Sequence, residues 1–261
     1  MLFLRWCRPL IFLLAWLVGL SGCASLGTYN PATGQREFIF IPTDQEVAMG
    51  QDIHTELKQQ YQIVESGPQV ERLRRIGRKL SQVSDRQDYE YHFYLINKDE
   101  MNAFTVPGGS VYFFSGLLDK LTSDDQVASV LAHEIGHCAA RHTIKKFQAA
   151  VGYQVIGDIV LSAISSEEQV RRIATLSSNA AMSLIFSAYG RKDELQADQL
   201  GLKYMDLAGY DLDAMIQTFE VLEANSKGPD VPLILRSHPY IKDRIVAARQ
   251  EIERIRKEDK T

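Results

Sequence analysis

The chain has 261 residues, of which 45% are hydrophobic and 24% are charged, a composition typical of one globular domain with a sizeable core. The formal net charge is −4, so no field of one sign favours a nucleic-acid partner or an acidic substrate, and we expect no nucleic acid to bind. The sequence shows no internal repeat.

The first residues have the pattern of a bacterial lipoprotein signal peptide. Residues 1–8 contain two arginines and no acid, and residues 9–20 are an unbroken apolar run that is too short to span a bilayer comfortably. Leu20-Ser21-Gly22-Cys23 follows and is similar to a lipobox, whose cysteine is lipidated and becomes the first mature residue. We therefore predict a signal peptide over residues 1–22 and lipidation at Cys23. An ordinary secretory signal with a chance cysteine and an uncleaved signal anchor are the alternatives.

The predicted lipid determines where the protein is expected to be. Two or more acyl chains would make the anchor stable, and Ala24 rather than Asp after the cysteine favours the outer membrane, with the protein facing the periplasm. Cys7 is removed with the signal and Cys23 carries the lipid, so Cys138 is the remaining thiol. This excludes a disulfide framework and a zinc knuckle built from cysteines, and Cys138 is predicted to be a small core residue.

A tether and two helices are predicted after the anchor. Residues 23–41 are rich in turn-forming residues and are interpreted as a lipidated tether, so that one domain occupies residues 42–261. Thr43-Asp44-Gln45-Glu46 has the pattern of a capping box and predicts a helix that runs to about Tyr61. A second helix is predicted after Pro68. Its basic residues are interpreted as a solvated face, with contact to lipid headgroups as the alternative.

The middle of the domain predicts a small sheet. The residue types over 89–96, 102–106 and 110–114 indicate three strands, and Pro107-Gly108-Gly109 indicates a tight turn between the last two. The rest of the chain has mostly helical patterns. We therefore expect an α+β fold that is mostly helical, with a small three-stranded sheet packed on the helix that carries the motif described below.

That helix is predicted to begin near Thr122 or Ser123 and to run to about His142. Two apolar helices are predicted over residues 144–164 and 170–189. Packing in the core is the default interpretation for both, and a membrane-facing hairpin or a cover over the site is the alternative. The last predicted helices are one over residues 191–207, one capped by Asp211 and one that begins at Pro239.

His133-Glu134-Ile135-Gly136-His137 is an HExxH motif. Positions four apart differ by about 40° around an α-helix, so both imidazoles leave the same side one turn apart. This is the spacing that two nitrogen ligands of one zinc ion need. Glu134 lies on the flank of that face and can reach an attacking water without competing for the metal. We therefore predict that His133 and His137 bind one zinc ion.

A catalytic zinc ion needs a third protein ligand and an open fourth position. An extended motif with a further Gly and His fails because positions 140 and 143 are Ala and Thr, and His142 misses the ligand register by one residue. We expect an exposed or cap-like role for His142, and a third ligand from another helix. Glu194 is the best candidate because Asp198, one turn later, is placed to accept the N–H of a ligating histidine. The competing acidic residues are Glu167, Glu168, Glu220 and Glu223.

Four motifs in this order resemble the CaaX-prenyl-protease and HtpX-type zinc metallopeptidases, a gluzincin family. They are Asn102-Ala103-Phe104 leading to Pro107-Gly108-Gly109, the HExxH motif, Glu194-Leu195-Gln196-Ala197-Asp198, and Ser237-His238-Pro239. The resemblance covers roughly residues 30–250, and with the lipobox it is closest to periplasmic lipoprotein members. We expect no C-terminal tetratricopeptide domain of the kind found in one such member, because the chain ends at Thr261.

The resemblance implies roles for individual residues. Glu194 would be the third zinc ligand, and Asp198 would orient a ligating histidine. His238, with Arg244 as a candidate companion, would lie near the metal and either stabilise the oxyanion or occupy the open coordination position in a latent state. Asn102-Ala103-Phe104 is similar to the edge strand on which such peptidases bind an extended substrate. Plain sheet structure is the alternative for this strand, and a helix cap is the alternative for His238.

These residues lead us to expect a zinc-dependent endopeptidase with one zinc ion per chain, in which Glu134 accepts a proton from the attacking water and delivers it to the leaving amine. The expected substrates are unfolded or misfolded envelope polypeptides, in protein quality control, and the outer-membrane assembly machinery is an expected partner. An envelope chaperone or assembly adaptor with a latent or structural metal site is the alternative. A peptidoglycan-modifying metalloenzyme is a third interpretation.

Overall fold

The computed structural model describes residues 27–39, 41–150, 178–226 and 231–258. The predicted signal peptide and Cys23 lie outside the described residues, as do residues 151–177, which contain much of the two predicted apolar helices. The described part is mostly helical with two small sheets, which confirms the predicted fold class.

The strands are β1 (Thr28–Asn30), β2 (Gln35–Glu37), β3 (Ile63–Val64), β4 (His92–Ile96), β5 (Ala103–Val106) and β6 (Ser110–Phe114). The first helices are α1 (Thr43–Gln60), α2 (Pro68–Ser81), α3 (Ser115–Leu118), α4 (Asp124–Ala139) and α5, which is described over residues 142–150. The later helices are α6 (Ser178–Phe186), α7 (Arg191–Leu207), α8 (Asp213–Ala224), α9 (Leu233–Ser237) and α10 (Ile241–Glu258).

The main sheet has four strands in the order β3-β4-β6-β5, so the prediction of three strands is wrong by one. The missed strand, β3, has only two residues, too few for a visible alternation pattern, and it pairs with the end of β4. β4 runs parallel to β6, and β5 runs antiparallel to β6 at the edge of the sheet. Val111 and Phe113 share a core with α2 and α4, whereas Tyr112 and Phe114 share a core with α1 and α6. Helices therefore cover both faces of the sheet.

Helix α4 lies at the centre of the domain, and all of its residues from 126 to 139 are buried. It packs against α2, α7, α8 and β5. The approach of α7 is a backbone contact, because a Cβ atom added to Gly136 would lie 2.7 Å from the carbonyl oxygen of Ala197. One turn further along α7, a Cβ atom on Gly201 would lie 3.1 Å from the backbone nitrogen of His133. Glycine at both positions thus lets α7 lie directly against the HExxH helix.

The segment predicted as a tether contains an ordered hairpin. β1 and β2 pair antiparallel around a turn in which Gly34 has a positive φ of 64°. The side-chain amide of Asn30 donates to the carbonyl oxygen of Ala139 at 3.2 Å and to the carboxylate of Glu37 at 3.0 Å. The hairpin therefore contacts the C-terminal end of α4, where helix carbonyl groups need donors.

Helix α1 was predicted correctly, but its predicted capping box is wrong. The residue that caps the helix is Pro42, with no side-chain hydrogen bond, and Glu46 is turned into the protein instead. Its Oε2 atom lies 2.9 Å from the guanidinium of Arg86 and 2.9 Å from that of Arg141, and all three side chains are largely buried. Two guanidinium groups attract this carboxylate more strongly than the backbone N–H groups of the first turn.

Several helix boundaries differ from the prediction, among them the end of α4 and the start of the last helix. Ser123 caps α4 as expected, accepting a hydrogen bond from the backbone nitrogen of Gln126 at 3.1 Å. The helix ends at Ala139 rather than near His142, because Arg141 adopts the left-handed conformation with φ 57° and the chain changes direction. The last helix begins at Ile241 rather than at Pro239, after a second residue with positive φ.

The described ends of the two predicted apolar helices pack on the domain. α6 contacts α1 and β5, and its side chains Ala181, Met182 and Ile185 are buried. Among the residues that the structure describes, no helix combines the length and apolarity required to cross a bilayer.

The buried ion network around Glu46 generates a stability prediction. Glu46→Gln leaves the guanidinium groups of Arg86 and Arg141 without their shared counter-charge, so we expect it to lower the free energy of unfolding by about 3 kcal/mol. Urea unfolding followed by circular dichroism measures this change. Asp52→Asn, at an exposed position of the same helix, is the matched control and should stay within about 0.5 kcal/mol of the wild type. Equal effects of the two substitutions would contradict a structural role for the network.

Candidate metal centre

The two histidines of the HExxH motif approach each other through their Nε2 atoms. His133 and His137 are buried, and their Nε2 atoms lie 3.0 Å apart. Their side chains leave α4 one turn apart on the same side, as the spacing of the motif predicts. Both rings therefore present one nitrogen to the same point.

Glu194 brings a carboxylate to that point from α7. Its Oε1 atom lies 3.4 Å from Nε2 of His137, and its Oε2 atom lies 3.7 Å from Nε2 of His133. Of the competing acids, Glu220 pairs with Arg249 on an exposed surface. Two others, Glu167 and Glu168, lie outside the described residues, and Glu223 is not in the cluster.

His238 is the fourth member of the cluster. It follows α9, and its Nδ1 atom lies 3.0 Å from Oε1 of Glu194 and 3.2 Å from Nε2 of His133. Ligand atoms of His133, His137, Glu194 and His238 all lie within 4.8 Å of one another. Donor atoms around a tetrahedral zinc ion lie roughly 3.3 Å apart, because the bonds are about 2.0–2.1 Å long. The cluster therefore has the donor types and the spacing that fit one zinc ion.

Asp198 and Arg244 contact members of this cluster. Oδ1 of Asp198 lies 2.8 Å from Nδ1 of His133, so the Nδ1–H group donates to it and Nε2 keeps its lone pair for the cluster. Arg244 donates to both oxygens of Asp198 at 2.7 Å, and its Nη1 atom lies 2.7 Å from Oε2 of Glu194. One buried guanidinium thus bridges the two carboxylates of α7.

The charges of these groups follow from their neighbours. Burial alone would raise the pKa of Glu194, but Arg244 and His238 outweigh it and hold that pKa well below its usual range. Burial would likewise raise the pKa of Asp198, and Arg244 together with His133 lowers it on balance. Both carboxylates are therefore ionised at neutral pH, as binding of a divalent cation requires.

Glu134 has a different environment from the other two carboxylates. It is buried, and neither of its oxygens has a hydrogen-bond partner among the described residues. Burial raises its pKa, and the charges of His238 and His133 offset only part of this effect. The carboxylate lies in the wall of a cavity that His133 and His238 also line. The apolar part of that wall is formed by Met215, Phe219, Leu222 and Ile234.

The expectation that His142 is exposed or cap-like is wrong. His142 is only 2% exposed, and its Nδ1 atom lies 2.9 Å from Nδ1 of His137. Its position follows from the early end of α4, because the left-handed Arg141 turns the chain back toward the motif. Tyr189 was missed entirely, although its ring stacks on that of His137 with centroids 4.0 Å apart. No local pattern marks either residue, because the contact of His142 depends on where α4 ends and the contact of Tyr189 joins residues that are far apart in the chain.

The predicted substrate strand is an edge strand but is not open. Asn102 and Ala103 are fully buried and Phe104 is 2% exposed. The ring of Phe104 contacts Phe186 of α6, with centroids 5.0 Å apart. The side-chain amide of Asn102 is buried without a hydrogen-bond partner among the described residues. The strand thus lies beside the HExxH helix, at the side of the sheet where an added strand would pair.

The sequence of the chain was compared with those of known proteins, and it matches a family. Residues 68–252 match the family described as Peptidase family M48. The mitochondrial metalloendopeptidase OMA1 of Schizosaccharomyces pombe is 30% identical over 221 residues, which cover 83% of this chain and 64% of that protein. The beta-barrel assembly-enhancing proteases of Yersinia pestis and Escherichia coli K12 are each 26% identical and cover 87% and 81% of this chain. The match covers 48% and 45% of those two proteins, so this chain spans about half to two thirds of the length of these relatives.

The contact between Asp198 and His133 generates a prediction for metal binding. Asp198→Asn keeps an acceptor for the Nδ1–H group but removes the negative charge that raises the basicity of the ring. We expect the zinc affinity to fall about 10–100-fold, measured by competition with a chromophoric chelator at constant pH. Asp206→Asn, eight positions further along α7, is the control and should bind zinc like the wild type. An unchanged affinity in Asp198→Asn would show that this contact does not support the metal centre.

Proposed function

Because this chain belongs to Peptidase family M48, we propose that it is a zinc-dependent metalloendopeptidase. The observation that carries the proposal is the buried cluster of three histidines and one glutamate, with the carboxylate of Glu134 beside it, which has no hydrogen-bond partner in the part of the chain that the structure describes. A site with only a structural role would need its ligands but not a buried carboxylate with a raised pKa facing a cavity.

His133, His137 and Glu194 would hold the zinc ion. When bound, zinc lowers the pKa of a coordinated water and polarises a peptide carbonyl group. The cluster is compatible with this because two neutral imidazole nitrogens and one ionised carboxylate are the donor set of many catalytic zinc sites. His238 is the fourth member of this cluster and would lie next to the position that a substrate needs on the metal.

Glu134 would move the proton in this reaction. Its raised pKa brings the carboxyl group closer to the operating pH, which suits a group that first accepts a proton from the attacking water and then delivers it to the leaving amine. Burial alone would lower the pKa of His238, but Glu194 and Glu134 outweigh it and raise that pKa. A protonated His238 can donate a hydrogen bond to the developing oxyanion.

The edge strand and the cavity both support a polypeptide substrate in an extended conformation. Strand β5 would pair with an extended peptide through the backbone, once the groups that cover it have moved. The apolar wall formed by Met215, Phe219, Leu222 and Ile234 favours an apolar side chain close to Glu134. Extended segments with exposed apolar side chains are typical of unfolded or misassembled proteins. We therefore propose that the protein acts in quality control of polypeptides in the cell envelope, and the Escherichia coli relative is named as a protease that enhances β-barrel assembly.

The location would be the outer membrane, with the domain facing the periplasm and anchored by a lipid on Cys23. The charge pattern of the first eight residues, the apolar run and the lipobox support this assignment. The outer-membrane assembly machinery is the proposed partner, again by analogy with the relatives named for β-barrel assembly.

Glu134→Gln tests the hydrolytic function. In the full chain purified in detergent, we expect one zinc ion per chain in both proteins, and casein cleavage reduced by at least about 10²-fold in the variant. Glu220→Gln, at an exposed position, is the control and should keep full activity. Zinc binding with equal cleavage by Glu134→Gln would remove Glu134 from the mechanism. If the in-cell function survives this substitution, the protein acts as a chaperone or adaptor instead.

Cys23→Ala tests the anchor. We expect the wild type to incorporate labelled palmitate and to fractionate with the outer membrane, because lipid is attached to this thiol. The variant should incorporate none and should leave that fraction. Cys138→Ala, which removes the buried thiol, should still be labelled. Labelled palmitate in Cys23→Ala would refute lipidation at this position.

A further inference from the structure

We propose that His142 and Gln196 form a positioning pair that holds His137 in the tautomer whose Nε2 atom faces the metal. The inference rests on the proposed function and adds to it two residues that do not touch the metal. It concerns Nδ1 of His137, the ring nitrogen that points away from the cluster. This nitrogen has a different kind of partner from Nδ1 of His133.

A ligating imidazole needs a lone pair on one nitrogen and an acceptor for the N–H group on the other. For His133 the acceptor is the carboxylate of Asp198, 2.8 Å from Nδ1. For His137 it is a second imidazole, because Nδ1 of His142 lies 2.9 Å from Nδ1 of His137. One of these two nitrogens must donate and the other must accept, so the tautomer of His142 decides that of His137.

Gln196 sets the tautomer of His142. Its side-chain oxygen lies 3.0 Å from Nε2 of His142, and an amide oxygen only accepts hydrogen bonds. Nε2 of His142 therefore carries the hydrogen, and the carboxylate of Asp193, 3.6 Å away, favours the same arrangement. Nδ1 of His142 is then left with its lone pair and accepts the Nδ1–H group of His137. As a result, the lone pair of His137 lies on Nε2, the nitrogen that faces the cluster.

The fold holds His142 in this place from two sides. Arg141 precedes it in the left-handed conformation, and its guanidinium donates to the carbonyl oxygen of Ile41 at 2.8 Å and to Glu46 at 2.9 Å. Thr143 follows it, and the hydroxyl groups of Thr143 and Tyr189 lie 3.0 Å apart while the ring of Tyr189 stacks on His137. His142 itself is 2% exposed, so water does not compete strongly for its nitrogens.

The pair also differs from Asp198 in charge. Asp198 is an ionised carboxylate that Arg244 neutralises, whereas His142 and Gln196 satisfy His137 without a formal charge. A third ionised carboxylate beside Glu194 and Asp198 would need another buried cation, and desolvating such a group is unfavourable. The uncharged pair of His142 and Gln196 therefore orients His137 without adding to the buried charge.

The test compares variants that remove or keep the acceptor. His142→Phe keeps a ring of similar size but cannot accept the Nδ1–H group, and His142→Gln keeps an acceptor oxygen. We expect the zinc affinity of the full chain, measured by chelator competition, to fall about 10–100-fold in His142→Phe and to be largely restored in His142→Gln. His54→Gln, which loses a hydrogen bond to Tyr112 away from the site, is the matched control and should bind zinc like the wild type.

A spectroscopic measurement on the zinc-loaded protein separates the hydrogen bond from packing. In ¹⁵N-histidine spectra we expect a slowly exchanging Nδ1–H proton on His137 in the wild type, because His142 accepts it, and fast exchange of this proton in His142→Phe. Gln196→Leu, at a half-exposed position, provides a second variant if His142→Phe does not fold, and it should shift the tautomer of His142 and weaken zinc binding in the same direction.

Wild-type zinc affinity in both His142→Phe and Gln196→Leu, or fast exchange of the Nδ1–H proton of His137 in the zinc-loaded wild type, would overturn the inference while leaving the peptidase proposal intact. Failure of the wild type itself to bind zinc would instead refute the proposed function. In that case ¹⁵N spectra of the metal-free protein would still show whether Nε2 of His142 carries the hydrogen, as its contact with Gln196 requires.

Discussion

The metal centre depends on the backbone contact between α4 and α7. Gly136 lies against the carbonyl oxygen of Ala197, and Gly201 lies against the backbone nitrogen of His133, at distances that leave no room for a side chain. Helices separated by ordinary side chains pack with their axes about 8–10 Å apart. At the closer approach that glycine allows, the short side chain of Glu194 reaches both imidazoles, and Asp198 reaches the far nitrogen of His133. Without this contact, Glu194 on α7 would lie further from His133 and His137 on α4.

Three buried carboxylates lie within this small volume, and their surroundings give them different properties. Glu194 and Asp198 share the guanidinium of Arg244 and stay ionised. Glu134 lacks such a partner among the described residues, and burial raises its pKa. Under the proposed function, groups of the same chemical type are thereby divided between binding a cation and moving a proton. This division is a known way for one site to perform acid and base chemistry near neutral pH.

The support for the site extends to the N-terminal part of the described chain. Glu46 on α1 pairs with Arg141, which carries the turn that returns His142 to His137. The hairpin β1–β2 contacts the last turn of α4 through Asn30. The carbonyl oxygen of Ile41, at the end of the segment predicted as a tether, also accepts a hydrogen bond from Arg141. Contacts from the N-terminal part of the described chain therefore reach both the last turn of α4 and the residue before His142.

The sequence by itself determined the features that depend on neighbours along the chain. The spacing of the HExxH motif places two imidazoles on one side of a helix, the Ser123 cap marks where that helix begins, and the apolar periodicity of Pro68–Ser81 predicts a helix there. The chemistry of the sequence makes Glu194 one candidate ligand among several acidic residues. The resemblance to a known family is needed to select it.

Only the tertiary structure decided the roles of His142, Tyr189 and Glu46 and the existence of β3. A left-handed residue at Arg141, a stacked ring and a two-residue strand leave no periodic pattern in the sequence. Each of these features is set by contacts between residues that are distant in the chain, and such contacts overrule local preferences, as the misassigned capping box shows. The physical reason is that a buried charge or a ring N–H takes the strongest partner that the fold brings to it, wherever in the sequence that partner lies.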